Sequence, residues 1–230
     1  MNIGGFQKTS LIDYPDLISA IIWAVKCNFY CPFCYNKNLV EGNVEMISED
    51  EVFNFLKKRK NVLEGLVISG GEPFLQKDIT DFTKKVKKLG YKVKIDTNGT
   101  YPEKLKELID KKQVDYVAMD IKAPIKKYNK LTGVKTNISK IKKSVDIIQK
   151  SNLDYEFRTT IIPDLLKKED IVEIAKWLDG SKNYYIQQFK NNTPLISYKM
   201  KTSVPYDREY IFEILDDIKP YFENCDVRGI

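Results

Sequence analysis

Short apolar runs alternate with amphipathic stretches along nearly the whole of the 230-residue chain, and that rhythm restricts the fold more than any other feature. Strands are expected at Ile18–Val25, Gly65–Ser69, Tyr91–Asp96, Val114–Ile121, Tyr155–Ile162 and Tyr184–Phe189. Helices are expected at Ser48–Arg59, Lys77–Leu89, Pro102–Lys112, Ser139–Ser151, Lys168–Leu178 and Asp207–Lys219. The boundaries carry chemical signals. Ser48 with Glu51 is a capping-box pattern, Pro102 opens a helix, Gly90 and Gly180 end helices, and Pro163 stops a strand. In Tyr91–Asp96, Val93 and Ile95 alternate with lysines, so one face of that strand is apolar. Strands alternating with helices imply parallel β/α units with right-handed crossovers. A closed eight-unit barrel takes about 250 residues. The expected class is therefore α/β, a partial (β/α)6 TIM-type barrel. No Ser-, Gly- or Pro-rich linker divides the chain, which reads as a single domain over residues 1–230. The opening segment Ile3–Pro15 carries turn residues and is expected to pair at, or cap, the barrel edge.

Composition removes whole classes of chemistry. The chain has no histidine, which excludes Ser-His-Asp and Cys-His nucleophiles, histidine zinc sites and imidazole acid–base catalysis. Its four cysteines are too few for a disulfide scaffold. The formal net charge is +6, but lysines such as those in Lys84–Lys88 and Lys140–Lys143 are spread along the chain and read as solvated helix faces. No recognition motif accompanies them, so a nucleic-acid partner is not expected. The start MNIGGFQK lacks an export pattern, and the longest apolar run, Ile18–Val25, is too short to cross a bilayer. No membrane association is expected, and the location is read as cytoplasmic and reducing. The cysteines are then thiols or metal ligands.

In parallel β/α folds the reactive face lies at the carboxyl ends of the strands. Unusual residues gather there. Cys27, Cys31 and Cys34 follow the first strand, Ser69-Gly70-Gly71-Glu72-Pro73 the second, and Asp96-Thr97-Asn98-Gly99 the third. Met119-Asp120-Ile121-Lys122 follows the fourth and Gln188-Phe189-Lys190-Asn191 the sixth, while Arg158 lies within the fifth.

The cysteines stand in CNFYCPFC, a CxxxCxxC spacing that lets three thiolates wrap one metal centre from a single loop. Three ligands leave one position open, which suits an iron–sulfur cluster with one incompletely ligated iron. A structural zinc site wants a fourth ligand; there is no histidine, and Cys225 lies far along the chain. Inert packing is the third reading, and it needs no such spacing. Cys225 itself reads as a free core thiol.

The other clusters are less specific alone. The glycines of SGGEP let the backbone approach a ligand without a Cβ, although a Gly-Gly turn is commonplace. DTNG reads equally as an Asn-Gly turn. Asp96 and Asp120, on neighbouring strand ends, repel unless a cation lies between them. Lys122 and Arg158 sit in apolar strand contexts and need anionic partners, either a ligand carboxylate or a structural ion pair. Lys190 reaches the same mouth or lies at the surface.

CxxxCxxC after the first strand, with Phe33 just before the third cysteine, resembles the radical S-adenosylmethionine superfamily. The resemblance covers nearly the whole chain. GFQKTSLIDYP, the cysteine loop, SGGEP, DTNG and MDIK together are similar to the anaerobic ribonucleoside-triphosphate reductase activating proteins and to a sister group, the pyruvate formate-lyase activating enzymes. It implies the radical SAM fold and a [4Fe–4S] cluster on Cys27, Cys31 and Cys34, whose fourth iron is chelated by the amine and carboxylate of S-adenosylmethionine. It further implies that Phe33, Ser69, Gly70, Gly71, Glu72, Pro73, Asp96, Asn98, Lys122, Arg158 and Lys190 bind that cofactor. Asp96, Thr97 and Asp120 would hold a monovalent cation. Two positions depart from the pattern: Lys26 stands where the family often has Gly, and Tyr35 where it often has His. Any role of that histidine is lost or falls to the Tyr35 hydroxyl. No second cysteine-rich insert is present, which argues against the larger activases with additional clusters.

The reaction implied begins with an external donor such as flavodoxin or ferredoxin. The reduced cluster splits the sulfonium homolytically, and the 5′-deoxyadenosyl radical takes a hydrogen from a glycine of a partner, the catalytic subunit of anaerobic ribonucleotide reductase. Two other readings stand beside it. One is a radical enzyme acting on another glycyl-radical enzyme or a small molecule. The other is a non-catalytic metal-binding module that docks nucleic acid.

Overall fold

In the computed structural model, which describes residues 1–230, the strands are β1 (Ile3–Ser10), β2 (Ser19–Ala24), β3 (Gly65–Gly70), β4 (Lys92–Thr97), β5 (Tyr116–Asp120), β6 (Asp154–Ile161), β7 (Ser181–Gln188) and β8 (Phe222–Arg228). They form one sheet whose order follows the chain. β1 runs antiparallel to β2, and every later pair is parallel. β1 and β8 are the two edges and do not pair with each other, so the barrel is open along one side. The fold is the α/β partial barrel expected from the strand–helix rhythm, with additional strands at both edges.

The helices are α1 (Lys37–Glu41), α2 (Glu49–Lys58), α3 (Ile79–Lys88), α4 (Pro102–Asp110), α5 (Tyr128–Thr132), α6 (Ile138–Gln149), α7 (Lys168–Trp177) and α8 (Arg208–Ile218). Their ends follow local chemistry. Ser48 accepts from Glu51 N at the start of α2, and Asp207 accepts from Tyr210 N at the start of α8. Gly90 follows α3 with φ of 91°, a conformation that favours a residue without a Cβ. None of the helices is long and apolar enough to cross a membrane.

Side chains alternate across the strands, and the alternation sorts the two faces. Ile22, Ile68, Ile95, Met119 and Phe157 face the helices and form the main core. Ile21, Val67, Tyr116 and Ala118 face inward and meet Tyr14 in a small second cluster. The inner face of β4 and β6 is charged instead. Lys94 is only 2 % exposed and Glu156 is fully buried. The lysines that alternate with Val93 and Ile95 were expected on a polar face. For Lys94 that face is the barrel interior, where its Nζ donates to Asp13 O at 2.7 Å.

The edges differ most from the sequence reading. The opening segment both pairs and caps: Ile3–Ser10 zips onto β2, and the following loop places Tyr14 against the Tyr116 ring at the bottom of the barrel. β8 was not expected. It carries Cys225, which is half buried at the sheet edge rather than enclosed in the core. Burial still pushes that thiol up to about 12.

Candidate active site

The cysteine loop leaves β2 through Lys26, which adopts φ of 73°. It is held there by two neighbours. Lys26 N donates to Leu39 O at 2.8 Å, and the stretch after β3 runs alongside, with Gly71 N donating to Ala24 O (2.9 Å) and Glu72 N to Lys26 O (3.0 Å). This contact explains the two glycines. A Cβ on Gly71 would lie 1.9 Å from Lys26 O, and one on Gly70 2.3 Å from Ala24 N. The sequence suggested that the glycines make room for a ligand; the backbone they make room for is the root of the cysteine loop. Gly71→Ala is expected to displace that root and cut iron loading on reconstitution more than tenfold, measured as iron per folded chain.

Backbone N–H groups point at the sulfurs. Phe29 N donates to Cys27 Sγ and Asn36 N to Cys34 Sγ, each at 3.4 Å. Asn98 Nδ2 approaches Cys27 Sγ at 3.9 Å and donates to Asn28 Oδ1 at 2.9 Å. Such donors favour thiolates. Burial outweighs them in the metal-free chain, pushing Cys27 up to about 12 and Cys31 up to about 11. The three cysteines line the wall of a cavity of about 420 Å³. No fourth cysteine lines that cavity. Three thiols on one loop, with no histidine or fourth cysteine beside them, fit a cluster with one free iron better than a closed four-ligand zinc site.

Most of the expected site residues line this cavity: Phe33, Ser69, Gly70 and Gly71 on one side, Asp96, Thr97 and Asn98 on the next, then Asp120, Lys122, Arg158 and Lys190. Glu72 and Pro73 do not. Pro73 is buried at the start of a 3-10 turn. Glu72 is completely buried and works as a bracket behind the wall. Its Oε1 accepts from Thr97 Oγ1 (2.9 Å) and Phe74 N (3.1 Å), and its Oε2 from Asn98 N (2.7 Å). One carboxylate thereby joins the loops after β3 and β4.

Burial pushes the Glu72 carboxyl up to about 7, against the three hydrogen bonds that lower it. An unfolded chain would lose that proton near 4.5. Between these values the native state binds the proton and the unfolded state does not. Folding stability is therefore expected to fall as pH climbs from about 4.5 to about 7, by about 3 kcal/mol in all. Urea unfolding from pH 5 to pH 8 checks this, because Glu72→Gln should remove that slope.

The cavity floor is an ion-pair network. Arg158 bridges the two strand-end carboxylates, with Nε 2.8 Å from Asp120 Oδ1 and Nη1 3.4 Å from Asp96 Oδ2. Lys122 Nζ lies 3.0 Å from Asp120 Oδ2, and Lys94 Nζ 2.9 Å from Asp96 Oδ1. Burial alone would raise both aspartates, but Arg158 and the lysines outweigh it and hold Asp120 down at about 2. Lys122 and Arg158 are raised in turn, because these carboxylates overcome the burial that disfavours their charge. The partners expected for Lys122 and Arg158 are thus present in the chain. The trio Asp96, Thr97 and Asp120 is not brought together around one point: the Thr97 hydroxyl turns away to Glu72, and Arg158 lies between the two carboxylates.

Gln188, expected at this face, lines the cavity; sequence reasoning missed its neighbour Gln187 on β7 and Arg228 and Gly229 from the end of β8, which also line it. Arg228 makes a paired contact with Glu156, at 2.9 and 2.8 Å, and stacks over the Tyr185 ring. Tyr35 lines the cavity mouth, stacks on Phe189 and accepts from Lys190 N at 2.8 Å.

A partial barrel with a three-cysteine loop after its first parallel strand defines a class. Residues 21–179 match the Radical SAM superfamily pattern, and the chain belongs to that superfamily. Its cofactors are a [4Fe–4S] cluster and S-adenosylmethionine. Within the class it is a glycyl-radical enzyme activating enzyme. Two proteins of Methanocaldococcus jannaschii, each named as a candidate glycyl-radical enzyme activating enzyme, align with it. One is 36% identical over 99% of this chain and 96% of its own length, and the other 32% identical over 77% and 68%. A domain of the pyruvate-formate lyase-activating enzyme of Bacteroides vulgatus shares the fold, with a TM-score of 0.55 and 13% identity, covering 72% of this chain and 99% of that one.

Proposed function

We propose that the glycyl-radical partner of this activase is an anaerobic ribonucleotide reductase, and that flavodoxin or ferredoxin supplies the electron. The observation that carries the reading is the joint placement of Cys27, Cys31 and Cys34 and the charged floor of Asp96, Asp120, Lys122 and Arg158 on one cavity. When bound, the cluster and S-adenosylmethionine supply a carbon radical able to remove a hydrogen atom from glycine. The chain does the rest. The cysteine loop holds the cluster through three thiolates and shields it with Phe29 and Phe33, both nearly fully buried. Lys122 and Arg158 present positive charge to the amino-acid carboxylate of the cofactor, and Asp120 fixes where that charge stands. Ser69 and the backbone around Gly70 lie across from them on the same cavity.

A glycine carried on another protein has to reach the barrel mouth. The gap between β1 and β8 provides the approach, and Arg228 and Gly229 stand beside it. The opening motif GFQKTSLIDYP and the DTNG and MDIK strand ends support the ribonucleotide reductase assignment by their resemblance to that activase group.

The test is anaerobic incubation of the reconstituted, reduced protein with S-adenosylmethionine and an anaerobic ribonucleotide reductase. A glycyl radical signal on the reductase by electron paramagnetic resonance is expected. A signal only on a different glycyl-radical enzyme would reject the ribonucleotide reductase assignment and leave the activase class intact.

A further inference from the structure

The lysines are distributed far less evenly than their spread along the chain suggests. Three segments contain no Asp or Glu at all: residues 17–40, which carry the cysteine loop, residues 121–145 and residues 180–206. Together they hold 14 of the 38 Lys and Arg residues and none of the 32 Asp and Glu residues. The remainder of the chain has 24 cationic residues against the same 32 acids, so it is net acidic.

The fold brings these three segments to one place. Tyr30 N donates to Thr132 O at 2.8 Å, and Gly133 packs so closely that a Cβ there would lie 2.3 Å from Tyr30 O. Lys135 and Lys140 line a small groove with Asn28 and Phe29, the two residues after Cys27. On the other flank Ile196 N donates to Cys34 O (3.3 Å) and Ser197 N to Pro32 O (2.9 Å). Lys199 and Lys201 follow at once in a 3-10 turn. The ion-paired lysines of these segments are Lys122, Lys127 and Lys143. Lys26, Lys130, Lys135, Lys140, Lys199 and Lys201 are exposed without a carboxylate partner. Tyr30 and Tyr198 stand exposed among them. Glu41, which accepts from the Tyr30 hydroxyl at 3.2 Å, marks the margin of the patch.

We propose that this basic face, the outer side of the cysteine loop, is the docking surface for an acidic one-electron carrier protein. The inference rests on the radical reading of the cavity, which requires one electron from outside for each S-adenosylmethionine cleaved. The position selects the carrier over the substrate protein. The substrate glycine enters by the cavity mouth, whereas Tyr30 is exposed on the outside while its chain neighbour Cys31 lines the cavity. Electron transfer falls steeply with distance, so a wall one residue thick is the favourable entry. The charge selects the carrier chemistry. An acidic protein is repelled by the net-acidic remainder and steered to the face where lysines without a carboxylate partner gather. In the transfer the carrier is oxidised by one electron and the chain-bound cluster is reduced by one; no bond forms or breaks.

The experiment uses the reconstituted protein and, as probe, reduced flavodoxin. Cluster reduction is followed by stopped-flow absorbance, and binding of oxidised flavodoxin by calorimetry. Two charge-reversed variants are compared with the wild type, Lys135→Glu with Lys140→Glu, and Lys199→Glu with Lys201→Glu. A reversal outside the three segments, Lys57→Glu with Lys58→Glu, controls for net charge. Each patch variant is expected to be reduced by flavodoxin about tenfold more slowly at low salt and to bind it correspondingly more weakly. The gap should close at high ionic strength. Reduction by photoreduced deazaflavin and the yield of 5′-deoxyadenosine with it should not change. Unchanged flavodoxin rates, or equal slowing in the control variant, would overturn the proposal. So would variants that keep wild-type flavodoxin rates but lose affinity for an RNA oligonucleotide, or for the glycyl-radical enzyme. If the wild type, reduced by deazaflavin, fails to cleave S-adenosylmethionine, the radical reading itself falls and takes the need for a carrier with it.

Discussion

A Cys31→Ala chain, reconstituted with iron and sulfide without oxygen, is expected to stay nearly free of iron, where the wild type takes up about four irons and turns brown. The reason is the donor count. Three sulfurs line the cavity, and no histidine and no fourth cysteine is there to replace one. Two thiolates leave two irons unligated, and such a cluster does not persist. The same variant should release no 5′-deoxyadenosine above background. Loading of the wild type should also speed up as pH rises. Burial keeps the Cys27 and Cys31 thiols protonated at neutral pH, and metal binding has to displace those protons. A Cys31→Ala chain that binds a full complement of iron would remove the cluster from this loop. Circular dichroism of the variant separates loss of ligand from loss of fold.

The second large effect is expected at Arg158. Its guanidinium is only 12 % exposed and meets Asp120, Asp96 and Glu156. Arg158→Met leaves those carboxylates in the barrel without their shared counter-charge. Breaking a buried pair in this way costs about 3–5 kcal/mol. The pH dependence should change form as well as size. In the wild type the Asp120 carboxyl is held at about 2 against an ordinary value of 3.8. Its contribution is complete above about pH 4 and is lost as pH falls toward 2. In Arg158→Met the aspartates are expected to prefer the protonated form, so stability should rise as pH drops from 7.5 to 5. Urea midpoints at those two values give the sign. Arg158→Lys should recover part of the loss, since it restores the charge but not the fork that reaches two carboxylates.

The interior strands and the helices packed on them were legible because their residues face two different environments in strict alternation. Ile68 and Ile95 face helices whatever lies on the other side. The ambiguity lay in that other side. In β4 the alternation of Val93 and Ile95 with lysines looks the same whether the second face meets water or a charged lumen. Only closure of the sheet around Lys94 decides it. β8 escaped notice because Glu223, Asn224 and Asp226 are exposed on an edge strand and give no apolar run. With it went Arg228, and so one wall of the cavity. Cysteine spacing needs no tertiary information, which is why the three cysteines stood out together, whereas the packing of the loop root on Gly70 and Gly71 did not. Glu72 and Thr97 were read as ligand contacts from their motifs, but their hydrogen bonds to each other depend on two loops meeting, and no local pattern encodes that.

The central claim is that three cysteines leave one iron of a four-iron cluster open to S-adenosylmethionine. Mössbauer spectroscopy of the iron-57 protein, before and after addition of S-adenosylmethionine, tests it most directly. One iron site in about four should shift on addition, the other three staying as they were. If all the irons are indifferent to S-adenosylmethionine, or the loop takes up zinc and no iron, the account is contradicted.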